Sequence, residues 1–291
     1  MKMDKEIIDL IKLHFPEFDS SNCYIKKEKN ENIFSVKLNE LNHQNILNDI
    51  FCEFLIKTYF SESDSNYLCH YLPIKYIDTI HKGKIRLYHI SKYIKTNNDA
   101  KEFSFLFERL GFDFPNKEKL ITSEQNNIFI LSCTSEINSL KHFDTYSKKD
   151  GCFVKFTLNN KMNDHTVSIR NIVYESQLIK LFCLIDCIKE RFGFKLNLEQ
   201  LFYHLQFVKR YDYEWEKEIR ISFNNSYKIG SYNINKNILK QTTIGCKLNE
   251  YFSIETDEMG DEYIEVPLIN DFFELNIESI SQSPTSSSII T

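Results

Sequence analysis

Polar and apolar side chains alternate along Glu218-Ile219-Arg220-Ile221-Ser222-Phe223. Successive side chains of a β-strand point to opposite faces, so this alternation predicts a half-buried strand. Further strands are predicted at 24–26, 33–38, 67–71, 84–88, 128–133, 151–156 and 167–174, with one or two more within 262–280. Helices are predicted at 4–14, 45–60, 73–81, 100–110, 176–190 and 197–208. Strands and helices mix without regular βαβ alternation, and the predicted fold class is therefore α+β, with a mostly antiparallel sheet and flanking helices.

Three acids at alternate positions, Glu214, Glu216 and Glu218, surround the only Trp of the chain. If the strand extends back over them, the three carboxylates share one face, where like charges repel each other. One interpretation is a solvated surface whose acids pair with nearby Lys or Arg side chains, among them Arg220. The other interpretation is a catalytic carboxylate beside the Trp.

The composition is that of a globular protein, with 291 residues of which 42% are hydrophobic and 26% charged. The net charge of −5 does not favour a broadly basic surface for nucleic acid. No run of about 18 apolar residues predicts a membrane span, and the acidic start lacks the apolar region of a signal peptide. Eight cysteines without CxxC spacing suit buried thiols in a reducing compartment. We therefore expect a cytoplasmic protein without a metal site.

A polar stretch, Ser61-Glu62-Ser63-Asp64-Ser65-Asn66, separates two parts of the sequence and predicts a linker. The expected organisation is a small N-terminal α+β segment, 1–65, followed by a main α+β domain, 66–280. The final stretch, 281–291, is rich in Ser and predicts a disordered tail.

Two predicted strand ends carry polar groups suited to chemistry. His70 is either a core histidine with a satisfied hydrogen bond or a residue that bonds a bound ribose or phosphate. Ser132-Cys133-Thr134-Ser135 offers hydroxyl groups to a sugar or a carboxylate, and it has equally the composition of any strand-to-loop transition. Cys133 could act as a nucleophile with His142, although nothing in the local sequence marks its thiol as activated.

Acids elsewhere allow another kind of site. Asn98-Asp99 followed by Glu102 predicts a helix N-cap with an acid in the first turn. Asp99, Glu102 and Asp144 could bind Mg²⁺ if the fold brought them together. Such an arrangement would indicate a metal-dependent nuclease.

Several of these stretches, taken in order, resemble a bacterial family known as domain of unknown function 2971. The resemblance covers residues 66–284 and leaves the N-terminal 65 residues outside. Its residues are His70-Tyr71, Gly83-Lys84-Ile85, Asn98-Asp99 with Glu102, Ser132-Cys133-Thr134, Phe143 with Tyr146, Gly151-Cys152-Phe153-Val154-Lys155-Phe156 and Glu216-Lys217-Glu218-Ile219-Arg220. The family name carries no activity.

The same order of motifs resembles the ADP-ribosyltransferase fold. In that fold a His strand, a Ser/Thr strand and a Glu-x-Glu strand converge on a split β-sheet cleft that binds NAD. The resemblance implies that His70 bonds the adenosine-side ribose. Ser132 and Thr134 would position the nicotinamide ribose and the catalytic acid.

Further roles follow from the same resemblance. Tyr71 or Tyr146 would stack on nicotinamide. Glu218 would be the catalytic carboxylate, and Glu216 would assist the acceptor. The resemblance therefore implies an enzyme that consumes NAD as co-substrate and modifies an unknown macromolecular acceptor, such as a bacterial toxin or a phage-defence effector. Two alternatives stay open: a non-catalytic binding or regulatory domain of the same fold, and the metal-dependent nuclease.

Overall fold

The computed structural model describes residues 2–20, 23–27, 33–38, 50–90, 92, 106, 109–110, 128–147, 151–159, 161, 166–193, 195–196, 198–224, 227–233, 238–244 and 251–283. The fold is α+β, with a mostly antiparallel curled sheet and several helices, which confirms the predicted fold class at this level.

The chain divides into two compact units. The first gathers Met1–Ser61, Lys101–Lys117 and Val173–Tyr211, and the second gathers Glu62–Ala100, Glu118–Ile172 and Asp212–Thr291. The first break lies within the predicted linker at 61–66. The stretch 173–211, assigned from the sequence to the main domain, belongs instead to the unit of the N-terminal segment, because the helix Ile179–Phe192 packs against Lys2–His14.

Helices and short strands build the first unit. Its elements are α1 Lys2–His14, β1 Cys23–Lys27, β2 Ile33–Leu38, α2 Ile50–Tyr59, β8 Val173–Tyr174, the 3₁₀ helix Glu175–Leu178, α5 Ile179–Phe192, β9 Lys195–Leu196, the 3₁₀ helix Glu199–Phe207 and β10 Val208–Lys209. Helix α5 buries Leu181, Leu184, Ile185 and Ile188, which form one stripe at helical spacing. It ends at Gly193, whose φ of 71° costs a glycine little. The helix predicted at 197–208 is present as the 3₁₀ helix Glu199–Phe207.

The described part of the second unit is built on a sheet of nine strands. They are β3 Tyr67–Pro73, β4 Lys84–His89, β5 Ile128–Thr134, β6 Gly151–Asn159, β7 Val167–Asn171, β11 Glu218–Asn224, β14 Ile254–Thr256, β15 Glu262–Pro267 and β16 Glu274–Gln282. A separate hairpin joins β12 Tyr227–Asn233 to β13 Ile238–Ile244. The helical segments are Ile74–Tyr76, α3 Ile77–His81, α4 Leu140–His142, the π-helical turn Phe143–Ser147, and the 3₁₀ helix Tyr211–Glu216 that leads into β11.

The sheet forks beside β5. One edge of β5 pairs along its whole length with β11, which in turn pairs with β7. The other edge is shared, because β4 pairs with Phe129 and Ile130 whereas β3 contributes a single pair, Cys69 with Thr134. The opposite edge of β3 pairs with β6 along the whole strand. Strands β3 and β5 therefore separate directly after the Cys69–Thr134 pair, where His70 and Ser132 lie.

The sheet of β5, β11 and β7 has one apolar and one polar face. Directly opposite residues of an antiparallel pair lie on the same face. The apolar face belongs to the main core and carries Phe129, Leu131, Cys133, Val167, Ile169, Ile219, Ile221 and Phe223. The polar face carries Ser132, Thr134, Ser168, Glu218, Arg220 and Ser222. Every residue of β11 is buried, so the prediction of a half-buried strand is wrong for its polar face.

The three acids Glu214, Glu216 and Glu218 do not share a strand face. The first two lie in the 3₁₀ helix, and β11 begins at Glu218. Between them Lys217 has a φ of 44°, which interrupts any extended backbone. The predicted surface of three like charges is therefore corrected to three carboxylates on two elements, with Glu214 and Glu216 in the 3₁₀ helix and Glu218 in β11.

The predicted limits of other elements also change. Pro73 ends β3 in an extended conformation, and helix α3 begins four residues later than predicted. Strand β16 continues to Gln282, and Ser283 is buried with its amide bonded to the Gly151 carbonyl, so the predicted tail does not start at 281. Residues 284–291, the turn at Asn98-Asp99 and most of the helix predicted at 100–110 lie outside the described residues.

Candidate functional site

His70 occupies the fork between β3 and β5. Its Nδ1 lies 2.9 Å from the backbone oxygen of Ser132. A carbonyl oxygen only accepts hydrogen bonds, so Nδ1 carries a proton and donates it. The half-buried imidazole thus supplies β5 with the bond that the backbone of β3 no longer provides after the strands separate.

The protonation of His70 follows from this environment. Burial lowers the pKa of His70 from its usual value, although the hydrogen bond to Ser132 acts in the opposite direction. The imidazole is therefore neutral at pH 7, with its one proton on Nδ1. Its Nε2 is left with a lone pair, which can accept a hydrogen bond from a hydroxyl group.

Glu218 lies on the polar face beside Ser132 and Arg220. Its Oε1 accepts a hydrogen bond from Ser132 Oγ at 2.7 Å and another from Arg220 Nε at 2.9 Å. The strand register explains both contacts, because Arg220 is opposite Ser132 and follows Glu218 by two residues on one face. The side chains of Glu218 and Arg220 are only 2% and 1% exposed. Arg220 thus compensates a buried negative charge, as one sequence interpretation allowed.

Three residues predicted to converge, His70, Ser132 and Glu218, do lie together. The His70 ring contacts the backbone oxygen of Ser132, and the hydroxyl of the same serine contacts Glu218. A continuous series of hydrogen bonds therefore links strands β3, β5 and β11. The functions assigned to these residues from the resemblance stay predictions.

Thr134 contacts the turn before β11. Its Oγ1 donates to the Glu216 carbonyl at 2.7 Å and accepts from the Glu136 amide at 3.0 Å. The buried Glu216 carboxylate accepts a hydrogen bond from the hydroxyl of Tyr146. The ring of Tyr146 is 41% exposed and stacks on Trp215, with an interplanar angle of 18°. Thr134 and Tyr146 thus hold the backbone and the side chain of Glu216.

Tyr71 does not lie with His70. Neighbouring residues of a strand face opposite sides, and Tyr71 belongs to a buried cluster with Cys69, Phe143 and Phe153. Its hydroxyl donates to the Glu136 carbonyl at 2.9 Å and accepts from the Ser139 amide at 2.9 Å. Ring and hydroxyl are both engaged within the protein, so the structure does not support the predicted stacking of Tyr71 on nicotinamide.

The position of Cys133 does not suit a nucleophile. It lies on the apolar face, where burial raises the pKa of its thiol well above the usual value. The thiolate that nucleophilic attack requires is therefore disfavoured. His142 contacts Ser139 Oγ through Nδ1 and the Glu216 carbonyl through Nε2. The interpretation of a Cys133–His142 pair is consequently not supported.

Among the described residues, no group of three or more His, Cys, Asp or Glu side chains could hold a metal ion. Asp99 and Glu102, which the nuclease interpretation requires, lie outside the described residues, and Asp144 is exposed. In the part of the chain that the structure describes, no helix is both long enough and apolar enough to cross a bilayer.

Comparison with known proteins identifies no relative of the chain. No protein-family model matches the chain, and no curated protein or solved structure is significantly similar to it.

Two features of this site are absent from the sequence-based prediction. One is the contact of His142 with the Glu216 carbonyl, and the other is the left-handed backbone of Lys217. Three-residue spacing between Ser139 and His142 is a usable local signal for their contact, because residues three apart are neighbours on a helical turn. No local pattern indicates the bond from His142 to Glu216, whose partners are 74 residues apart.

We expect the protein to lose stability as the pH falls below about 6.5, the usual pKa of a histidine in an unfolded chain. Burial lowers the folded-state pKa of both His70 and His142, so the unfolded state takes up protons first. The stabilisation is complete above pH 6.5 and is lost between that pH and the lowered folded values. Urea unfolding at pH 7.5, 6.5 and 5.5 measures the effect.

A His70→Asn variant isolates the contribution of His70, because its amide can still donate to Ser132 but does not titrate. Its free energy of unfolding should fall less steeply with acid than that of the wild type. The matched control is His81→Gln, a change at an exposed histidine. Equal slopes for His70→Asn and the wild type would contradict the expectation.

Proposed function

We propose that the chain is an ADP-ribosyltransferase-like enzyme that consumes NAD as co-substrate. The observation that carries the proposal is the hydrogen-bonded series from His70 through Ser132 to Glu218. These residues belong to strands that adjoin at a fork in the sheet, and the order of His, Ser/Thr and Glu strands is that of the resemblance. A split sheet with these three motifs is the arrangement that the proposal requires.

Glu218 supplies the central chemistry. Cleavage of the bond between nicotinamide and ribose develops positive charge on the sugar, as in glycoside hydrolysis. The electron pair of that bond leaves with nicotinamide, and an acceptor nucleophile or water then adds to the ribose carbon and loses a proton. A fixed carboxylate stabilises the developing charge and holds the sugar hydroxyl. Ser132 and Arg220 fix the Glu218 carboxylate for this task.

His70 and Glu216 have supporting roles in the proposal. The Nε2 lone pair of His70 accepts a hydrogen bond from a ribose hydroxyl of NAD, while Nδ1 stays bonded to β5. Glu216 assists the acceptor, and the partly exposed Tyr146 links that carboxylate to the surface. Tyr146 also has its hydroxyl and one side of its ring engaged, but it is 41% exposed whereas Tyr71 is buried, so Tyr146 is the remaining tyrosine for contact with nicotinamide.

The test of the proposal is release of nicotinamide from NAD by the purified full chain, with NAD binding followed by calorimetry. Release of nicotinamide is the expected result. Saturable binding of NAD without release of nicotinamide would support the NAD site and indicate that the acceptor is missing. Fractionated bacterial protein would then be added as a source of the acceptor. A chain that neither binds NAD nor releases nicotinamide contradicts the proposal.

A second candidate, a non-catalytic binding or regulatory domain, is favoured by one observation. Glu218 and Arg220 form an ion pair that is almost completely buried. A charged pair of this kind can serve as a structural element of a sheet face, and the NAD-consuming enzyme requires that this face opens to admit the substrate. A variant that alters activity without altering stability distinguishes the two candidates.

A further inference from the structure

The backbone between Glu216 and Glu218 adopts an unusual conformation. Lys217 has a φ of 44°, in the left-handed region that residues with a side chain seldom occupy. Within the described residues, the only other non-glycine residue with a positive φ is Asn138, at 56°. Strained backbone persists only where its surroundings hold it, and it concentrates at functional sites.

An ion pair connects the two segments that contain Lys217 and Asn138, the residues with positive φ. The Lys217 ammonium group pairs with the Glu136 carboxylate at 2.5 Å, two residues before Asn138. The Glu216 carbonyl accepts hydrogen bonds from Thr134 Oγ1 at 2.7 Å and from His142 Nε2 at 3.2 Å. The turn at Lys217 is therefore held by three side chains of the segment 134–142, namely Thr134, Glu136 and His142.

The contacts of His142 define its tautomer. Nε2 faces a carbonyl oxygen and must donate, whereas Nδ1 accepts from the Ser139 hydroxyl at 2.7 Å. Burial lowers the pKa of His142, which keeps this imidazole neutral at pH 7. The ring lies between Tyr71 and Trp215, with ring centroids 5.0 Å and 4.9 Å away. Hydrogen bonds at both ring nitrogens and contacts with two aromatic rings therefore fix the orientation of the imidazole.

We infer that His142 is a positioning residue, which holds the Glu216 carbonyl and so keeps Lys217 left-handed and the Glu218 carboxylate correctly aimed. The inference rests on the proposed function of Glu218 and deepens it. Without the Nε2 bond, Thr134 Oγ1 is left as the one side chain that holds the Glu216 carbonyl, and the peptide can rotate about that bond. Lys217 then relaxes toward a negative φ, and the backbone that enters β11 turns with it. Glu218 then loses the alignment with Ser132 that the chemistry requires.

The test compares His142→Gln with His142→Asn. The amide nitrogen of Gln reaches the position of the imidazole Nε2 and can still donate to Glu216, whereas that of Asn reaches only the position of Nδ1. Both variants lose the aromatic ring, and they differ from each other by one methylene and by the position of the amide donor. We expect His142→Gln to keep kcat for nicotinamide release and His142→Asn to lose about 10- to 100-fold, as misplaced groups do. KM for NAD stays unchanged in both, and an equal fall of kcat in both would overturn the inference.

The emission of Trp215 provides a readout that does not depend on activity. It is the only Trp of the chain and lies in the 3₁₀ helix just before the strained turn. We expect His142→Asn to shift this emission to longer wavelength relative to His142→Gln, and identical spectra would overturn the inference. Absence of nicotinamide release from the wild type would contradict the proposed function alone, and the emission would then decide whether His142 holds the turn.

Discussion

Replacing Glu218 with Gln is expected to lower the rate of nicotinamide release by on the order of 10²–10³, the usual loss when one charge-stabilising group is removed. The substitution keeps the shape of the side chain and an oxygen that accepts from Ser132 and Arg220. It removes the negative charge that compensates Arg220 and replaces the second carboxylate oxygen by an NH₂ group. Because that charge opposes the positive charge of the ribose, the loss should fall on kcat more than on KM for NAD. Steady-state kinetics with NAD measure both parameters.

The matched control is Glu214→Gln, which changes an exposed carboxylate in the preceding 3₁₀ helix. Its rate should equal that of the wild type. Circular dichroism and thermal unfolding establish that the Glu218→Gln chain is folded, and Ser132→Ala provides a second variant that keeps the buried ion pair. A wild-type rate for Glu218→Gln would exclude Glu218 as the catalytic carboxylate and favour the regulatory domain.

Replacing Arg220 with Met is expected to lower the free energy of unfolding by about 3–5 kcal/mol, the usual result of removing one partner of a buried ion pair. The Nε of Arg220 donates to Glu218 at 2.9 Å, and neither side chain is more than 2% exposed. Met retains most of the apolar contact of the arginine stem but leaves the carboxylate charge buried. Urea unfolding monitored by circular dichroism measures the change.

An exposed ion pair provides the control. Arg109 pairs with Asp186 at 2.9 Å, with the side chains 41% and 44% exposed. Arg109→Met should therefore cost only about 0–1 kcal/mol, since water and salt screen such pairs. Combining Arg220→Met with Glu218→Gln should recover part of the loss, because no carboxylate charge then stays buried. An effect of Arg220→Met as small as that of Arg109→Met would contradict the structural importance of the buried pair.

Part of the fold was predictable because local patterns agree with the final structure. Strands β6 and β11 carry the apolar residues expected of buried strands, and both were predicted. The hairpin of β12 and β13 was not predicted, since Gly230 lies inside one strand and polar residues fill much of both. Assignment of 173–211 to the first unit depends on packing between distant segments, which local periodicity does not contain.

The site residues also divide into those that a local sequence pattern predicts and those that depend on contacts between distant segments. Residues two apart on a strand share a face, so the pairing of Glu218 with Arg220 was open to prediction from the sequence. The proximity of His70 to Ser132 came from the order of motifs in a resemblance. The strand predicted from Glu218 does begin there, whereas its conditional extension back over Glu214 and Glu216 fails. Nothing in the composition of this stretch indicates the 3₁₀ helix or the left-handed Lys217 that follows it.

The most direct test of the central claim is a crystal structure of the Glu218→Gln chain with NAD. We expect the nicotinamide ribose to lie within hydrogen-bond distance of Gln at this position, with Ser132 beside it and His70 Nε2 bonded to a ribose hydroxyl. Such a complex would also show how the buried face opens. NAD bound at another surface, or crystals that hold none at saturating concentration, would contradict the claim that His70, Ser132 and Glu218 form an NAD site.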